Sequence, residues 1–147
     1  MTSPFGKNVY FLMKIWIDTN VLLDVLCDRP AFVKESGRIW KLCEIQQLDG
    51  YVSTLSFLNI AYILRKELSA DNIRQVLQKL MVIFSVVDLK AEDIARAAWL
   101  PLRDYEDAVQ ATCAARIKAD YIITRNLKDF AGSQVPVLSP SDFLKMA

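Results

Sequence analysis

The stretch Lys14-Ile-Trp-Ile-Asp18-Thr-Asn20-Val-Leu-Leu23 constrains the fold more than any other. Lys14 to Ile17 carry β-branched and aromatic types suited to a short strand. Asp18-Thr19-Asn20 follows at once, and Val21, Leu22, Val25 and Leu26 then recur at helical spacing. A carboxylate therefore stands where a strand turns into a helix. The alternation repeats along the chain. Strands are expected at 51–53, 84–87, 120–124 and 135–137. Helices are expected at 19–27, 31–48, 55–68, from Ser69 and Asp71 onward, at 90–100, at 104–118, and at the end up to Met146. The helix at 55–68 has Leu58, Ala61, Tyr62 and Arg65 on one face, and Asp49-Gly50 reads as a turn. Strands alternating with helices predict an α/β fold, a three-layer α/β/α arrangement around a central parallel sheet of four to five strands.

Handedness then fixes where the polar residues meet. A helix that follows a parallel strand begins at that strand's carboxyl edge. Asp18, the helix starts near 55 and 104, and the end of strand 120–124 converge on one rim, the edge where open α/β sheets bind ligands.

Composition limits the chemistry available on that rim. The chain has 147 residues, 53% of them apolar and 24% charged, which fits a single folded domain over 13–147. Residues 1–12 read as an extension, with no small-residue cleavage site of a signal peptide. Histidine is absent, which excludes a Ser-His-Asp triad, a histidine base and a His-ligated zinc. Cys27, Cys43 and Cys113 are odd in number and widely spaced, so buried thiols in a reducing cytoplasm are expected, not disulfides or a zinc knuckle. The uncharged run from Leu80 to Val87 is too short for a membrane span. Net charge is +1, so nucleic-acid contacts have to come from local Lys and Arg.

Each rim residue has a plain structural reading beside the functional one. Asp18 suits a helix cap or turn as well as a ligand. Asp104 and Asp107 share a helix face, with Glu106 a quarter-turn or more away. One acid would serve to cap that helix, whereas three carboxylates in four residues ask for a cation. Arg125 and Lys128 follow a buried-type strand and could hold a phosphate, although most such residues are simply solvated. Asn59 is the one polar residue in Leu58-Asn59-Ile60-Ala61, so it faces either the core or a site. Oxygen ligands without His or Cys select Mg2+ or Mn2+.

These motifs resemble a known family. Ile15-Trp-Ile-Asp18-Thr-Asn20-Val-Leu-Leu-Asp24 is similar to the opening motif of PIN domains. Asp104-Tyr-Glu-Asp107-Ala-Val-Gln110 is similar to their third acidic motif, and Thr124-Arg125-Asn126 with Lys128-Asp129-Phe130 to their fourth. The resemblance implies metal-dependent RNA hydrolysis and, for VapC-like members, a toxin held by an antitoxin and forming a homodimer. It makes Asp18 and Asp107 metal ligands and Asp104 an accessory acid. Asn126 stands where the family often has a fourth Asp, and Asn59 near its usual Glu. Thr19 and Thr124 are placed to hydrogen-bond ligands or phosphate. Asp24, one turn into the helix, reads as a surface or ion-pair residue.

Two readings from different classes follow. The first is a Mg2+- or Mn2+-dependent ribonuclease acting as the toxin of a toxin–antitoxin pair, with Asp18, Asp104 and Asp107 at its centre. The second is a PIN-like domain that has lost catalysis and binds RNA or a protein partner, because the amides of Asn59 and Asn126 supply no charge and accept no proton. A receiver-like phosphoacceptor is a weaker third, since the strand spacing lacks its paired acids and late lysine.

Overall fold

The structure is a computed structural model and describes residues 13–146, so the expected extension at 1–12 lies outside the described residues. Five strands form: β1 (Lys14–Ile17), β2 (Asp49–Ser53), β3 (Ser85–Val87), β4 (Tyr121–Ile123) and β5 (Val137–Leu138). The helices are α1 (Thr19–Leu26), α2 (Val33–Glu44), α3 (Thr54–Leu64), α4 (Ala70–Ile83), α5 (Ala91–Ala97), α6 (Tyr105–Arg116) and α7 (Pro140–Leu144), with a 3-10 turn at Leu127–Phe130. The strand order is β3-β2-β1-β4-β5, and every pairing is parallel.

The two-residue period of β1 explains its central place. Ile15 and Ile17 enter one core with residues of α1, α2, α3, α4 and α7. Trp16 points the other way, into a core built with α5 and α6. A strand buried on both faces belongs in the middle of a parallel sheet. This is the expected three-layer arrangement, and it brings the strand ends and helix starts to one edge.

Four expectations need correction. Asp49-Gly50 opens β2 and is not a turn. A Cβ on Gly50 would stand 2.7 Å from Cys43 Sγ and 2.9 Å from the Phe84 ring, so glycine is there to let strand, helix and ring close up. The last strand is Val137–Leu138, while Val135 turns into the second core. Helices α1, α2 and α6 stop short of the expected ends because Asp28, Gln46 and Lys118 adopt positive φ (50°, 61° and 58°) just beyond them. The buried face of α3 is Ser56, Ile60 and Leu64, and Leu58 and Tyr62 are exposed.

All three cysteines are free thiols. Burial pushes Cys43 and Cys113 up to about 12, so neither forms a thiolate near neutrality. Iodoacetamide is expected to label the half-buried Cys27 first and the other two only on unfolding, which peptide mass mapping checks. Among the described residues no helix is long and apolar enough to cross a membrane.

A candidate acidic site on the sheet rim

Asp18 closes β1: its N–H donates to the Ile123 carbonyl at 3.0 Å, and the next residue opens α1. It stands at the cap position, yet its side chain caps nothing. Instead Oδ2 accepts from the Thr124 hydroxyl at 2.8 Å, and Oδ1 accepts from Gln110 Nε2 at 3.4 Å. Both donors are themselves held. Thr124 Oγ1 accepts the Asn126 backbone N–H at 3.0 Å, which leaves its proton for Asp18. Trp16 Nε1 donates to Gln110 Oε1 at 3.1 Å, and an indole N–H only donates, so it fixes which end of the amide faces Asp18. Asp18 is 5% exposed, and burial raises its pKa against the pull of these hydrogen bonds and of Arg125.

The α6 acids divide their roles. Asp104 is the cap, accepting the Asp107 N–H at 3.2 Å, so the structural reading holds for it whatever else it does. Asp107, half-buried on the next turn, is pushed up to about 7, first by burial and then by Asp18, Asp104, Asp129 and Glu106. Glu106 turns toward α3, where Oε1 accepts from Asn59 Nδ2 at 3.1 Å. Its pKa is also raised, by burial and by Asp104 and Asp18. Five carboxylates thus press on one another at this edge. Arg103 reaches Asp129 at 4.0 Å, on the outer side of the set.

The remaining expected residues fall in different places. The Thr19 hydroxyl is turned inward to Ser56 at 2.7 Å. The Asn126 side chain caps nothing and is exposed, as is Lys128. Arg125 is already engaged: Nε donates to Asp24 Oδ2 at 2.9 Å, and its guanidinium lies over Phe32, 3.8 Å from the ring centroid. Asp24 is fully buried, so only the ion-pair half of its expectation fits; Arg29 at 3.3 Å and the Ser36 hydroxyl at 3.0 Å complete its set. Gln110 and Trp16 were not singled out from sequence. A glutamine between Val109 and Ala111 reads as solvated, and its partners lie on a distant strand.

An oxygen-only donor set fits a hard divalent cation, and burial followed by repulsion from neighbouring acids raises the pKa of Asp107 and of Glu106, a load that a cation would relieve. Among the described residues, however, no three Asp, Glu or Cys side chains are already gathered closely enough to hold an ion.

Residues 14–128 match the family profile of the PIN domain. The chain belongs to the PIN-domain family. Its fold is similar to solved toxin–antitoxin proteins. VapBC2 from Rickettsia felis, bound to a DNA fragment of its promoter, has a TM-score of 0.68 at 14% identity, covering 86% of this PIN chain and 98% of that one. A toxin–antitoxin complex from Klebsiella pneumoniae has a TM-score of 0.64 at 23% identity, covering 86% and 97%. VapC20 of Mycobacterium tuberculosis, a toxin that cleaves the sarcin-ricin loop, has a TM-score of 0.59 at 15% identity, covering 74% and 86%. At such identities the likeness is one of fold. No curated protein matches this PIN domain by sequence.

Proposed function

We propose that this PIN domain is a metal-dependent endoribonuclease and the toxin of a toxin–antitoxin pair. The observation that carries the reading is Asp107, pushed up to about 7 beside Asp18 and three further acids on the carboxyl edge of a parallel sheet. Asp18 and Asp107 would hold Mg2+ or Mn2+, with Asp104 and the Asn126 amide oxygen as accessory donors. Such an ion supplies Lewis acidity toward water and offsets charge on the departing oxygen of a phosphodiester. Thr124 and Gln110 orient the Asp18 carboxylate from behind, and Asn59 holds Glu106 to one side of the rim. Lys128, exposed, would meet the RNA backbone. The exposed apolar residues of α3 and α4, among them Leu58, Tyr62 and Val82, suit a homodimer or the antitoxin. The relatives crystallised with antitoxins support that partner class.

The test is cleavage of a labelled RNA by the purified chain with Mn2+ and with EDTA. Equal cleavage in both, or none in either, removes the reading. The amides of Asn59 and Asn126, and carboxylates not gathered for an ion, favour a second reading, a PIN domain that binds RNA or protein without cutting. A calorimetric titration showing no Mn2+ binding at millimolar concentration would select it.

The buried relay gives a further expected result. Gln110→Ala removes one oriented donor from Asp18 and leaves the Trp16 indole N–H unpaired. Mn2+ affinity should fall about 10–100-fold, as for other partners that orient a ligand. Calorimetry checks this, and an unchanged affinity would deny Gln110 the role.

A further inference from the structure

Beside the acids, on the same edge, lies a cavity of about 290 Å3 lined by Phe32, Glu35, Arg125, Ser139 and Ser141 among others. Its place relative to Asp18 is set by backbone. Arg125 directly follows Thr124, whose hydroxyl holds Asp18, and Ser139 directly follows Leu138, whose carbonyl accepts the Thr124 N–H at 3.1 Å. With Nε engaged by Asp24, the expected phosphate contact from Arg125 would fall to its terminal nitrogens. The guanidinium donates from Nε to buried Asp24 and lies over the Phe32 ring, 3.8 Å from its centroid, so ring and guanidinium are held together as one surface.

We infer that this cavity is a base-binding subsite for single-stranded RNA, stacking a nucleobase on the Phe32–Arg125 platform and favouring guanine through Glu35. The inference rests on the ribonuclease reading. Single-stranded RNA is bound by stacking its bases on aromatic rings and guanidinium planes, and Phe32 is 38% exposed on a wall of the cavity. The choice of base follows from which polar groups are left over. Ser36 donates to Asp24, and Ser139 caps α7 by accepting the Asp142 N–H, which leaves it a proton to give but makes it no strong acceptor for a base's donors. Among the described residues no partner engages the half-buried Glu35 carboxylate. A carboxylate only accepts. Guanine presents two adjacent donors on its Watson–Crick edge, N1–H and the N2 amino group. Adenine and cytosine set an acceptor beside their amino group, and uracil flanks its N–H with carbonyls, so each of those would face Glu35 with a repelling lone pair.

The test measures binding, not cleavage. Four short single-stranded RNAs, oligouridine with A, C, G or U at one central position, are titrated into the full chain in EDTA and followed by fluorescence anisotropy. The wild type should bind the guanine RNA about tenfold more tightly than the others. Phe32→Ala should weaken all four by about tenfold, the loss of one stacked base. Glu35→Gln should remove the preference for guanine, because its amide keeps one acceptor for guanine and gains a donor that the acceptors of the other three bases can meet. Phe32 is exposed and Asp24 still holds Arg125, so circular dichroism should find both variants folded. RNA bound equally well whatever the central base overturns the subsite and leaves the ribonuclease reading standing. Normal RNA binding by folded Phe32→Ala also overturns it. No RNA binding by the wild type overturns the subsite, and the cleavage assay with Mn2+ and with EDTA then decides the ribonuclease reading separately.

Discussion

Asp107→Asn is expected to abolish RNA cleavage and, in the same protein, to raise the unfolding temperature. The exchange is nearly isosteric, but it removes a carboxyl that burial and four acidic neighbours have pushed up to about 7. If Asp107 is a ligand, the loss of activity should exceed the 10–100-fold that marks outer partners. Asp18→Asn should match it. The stability gain has a definite pH signature. An acid that folding makes weaker binds its proton more tightly in the folded state than in the unfolded chain, whose value is 3.8. Its stabilising contribution is fully present below about 4 and disappears as pH rises through about 7. Glu106 and Asp18 are shifted the same way. The wild type should therefore melt at a lower temperature at pH 8 than at pH 5, with a smaller difference in Asp107→Asn. Added Mg2+ should restore the wild-type midpoint at pH 8 by binding only the folded state, and should leave the variant unmoved. Scanning fluorimetry with a cleavage assay reads both effects. A variant that cuts RNA at the wild-type rate would remove Asp107 from the site.

The rim itself was legible from the chain, because strand-to-helix alternation and parallel handedness bring Asp18, Asp104 and Asp107 together without knowledge of any contact. What sequence did not disclose was tertiary in origin. Gly50 resembles a turn residue, and only the approach of Cys43 and Phe84 explains it as part of a strand. Helix ends ran long because Asp28, Gln46 and Lys118 take the left-handed conformation where a glycine would have announced the stop. The inner face of α3 begins with Ser56, which looks solvent-facing until the Thr19 hydroxyl is found opposite it. Gln110 acquires its role from a tryptophan 94 residues away. In each case a locally ambiguous residue was decided by a neighbour remote in sequence, and such pairings have no periodic signature.

Asp24→Ala is expected to be the most destabilising single change beside the site, at about 2–3 kcal/mol. Removing one partner of a buried ion pair commonly costs ~3–5 kcal/mol, because the charge left behind has lost its compensation. The value here should be smaller, since Arg29 and Arg125 keep 32% and 21% of their side chains exposed and can turn toward water. The cost should also reach the rim. Asp24 sits in α1 and holds Arg125, the residue between Thr124, which orients Asp18, and Asn126, whose N–H fixes the Thr124 hydroxyl. Urea unfolding should show a lower midpoint with an unchanged slope, the mark of altered stability in an otherwise intact fold. Asp24→Asn should be milder, because its amide oxygen still accepts from Ser36. A double-mutant cycle with Arg125→Ala separates the pair from the rest of the set. If Asp24 acts through Arg125, the double variant should lose less stability than the two single changes added together. Strict additivity would leave Arg29 and Ser36 as its working partners and uncouple the buried pair from the geometry of Asp18.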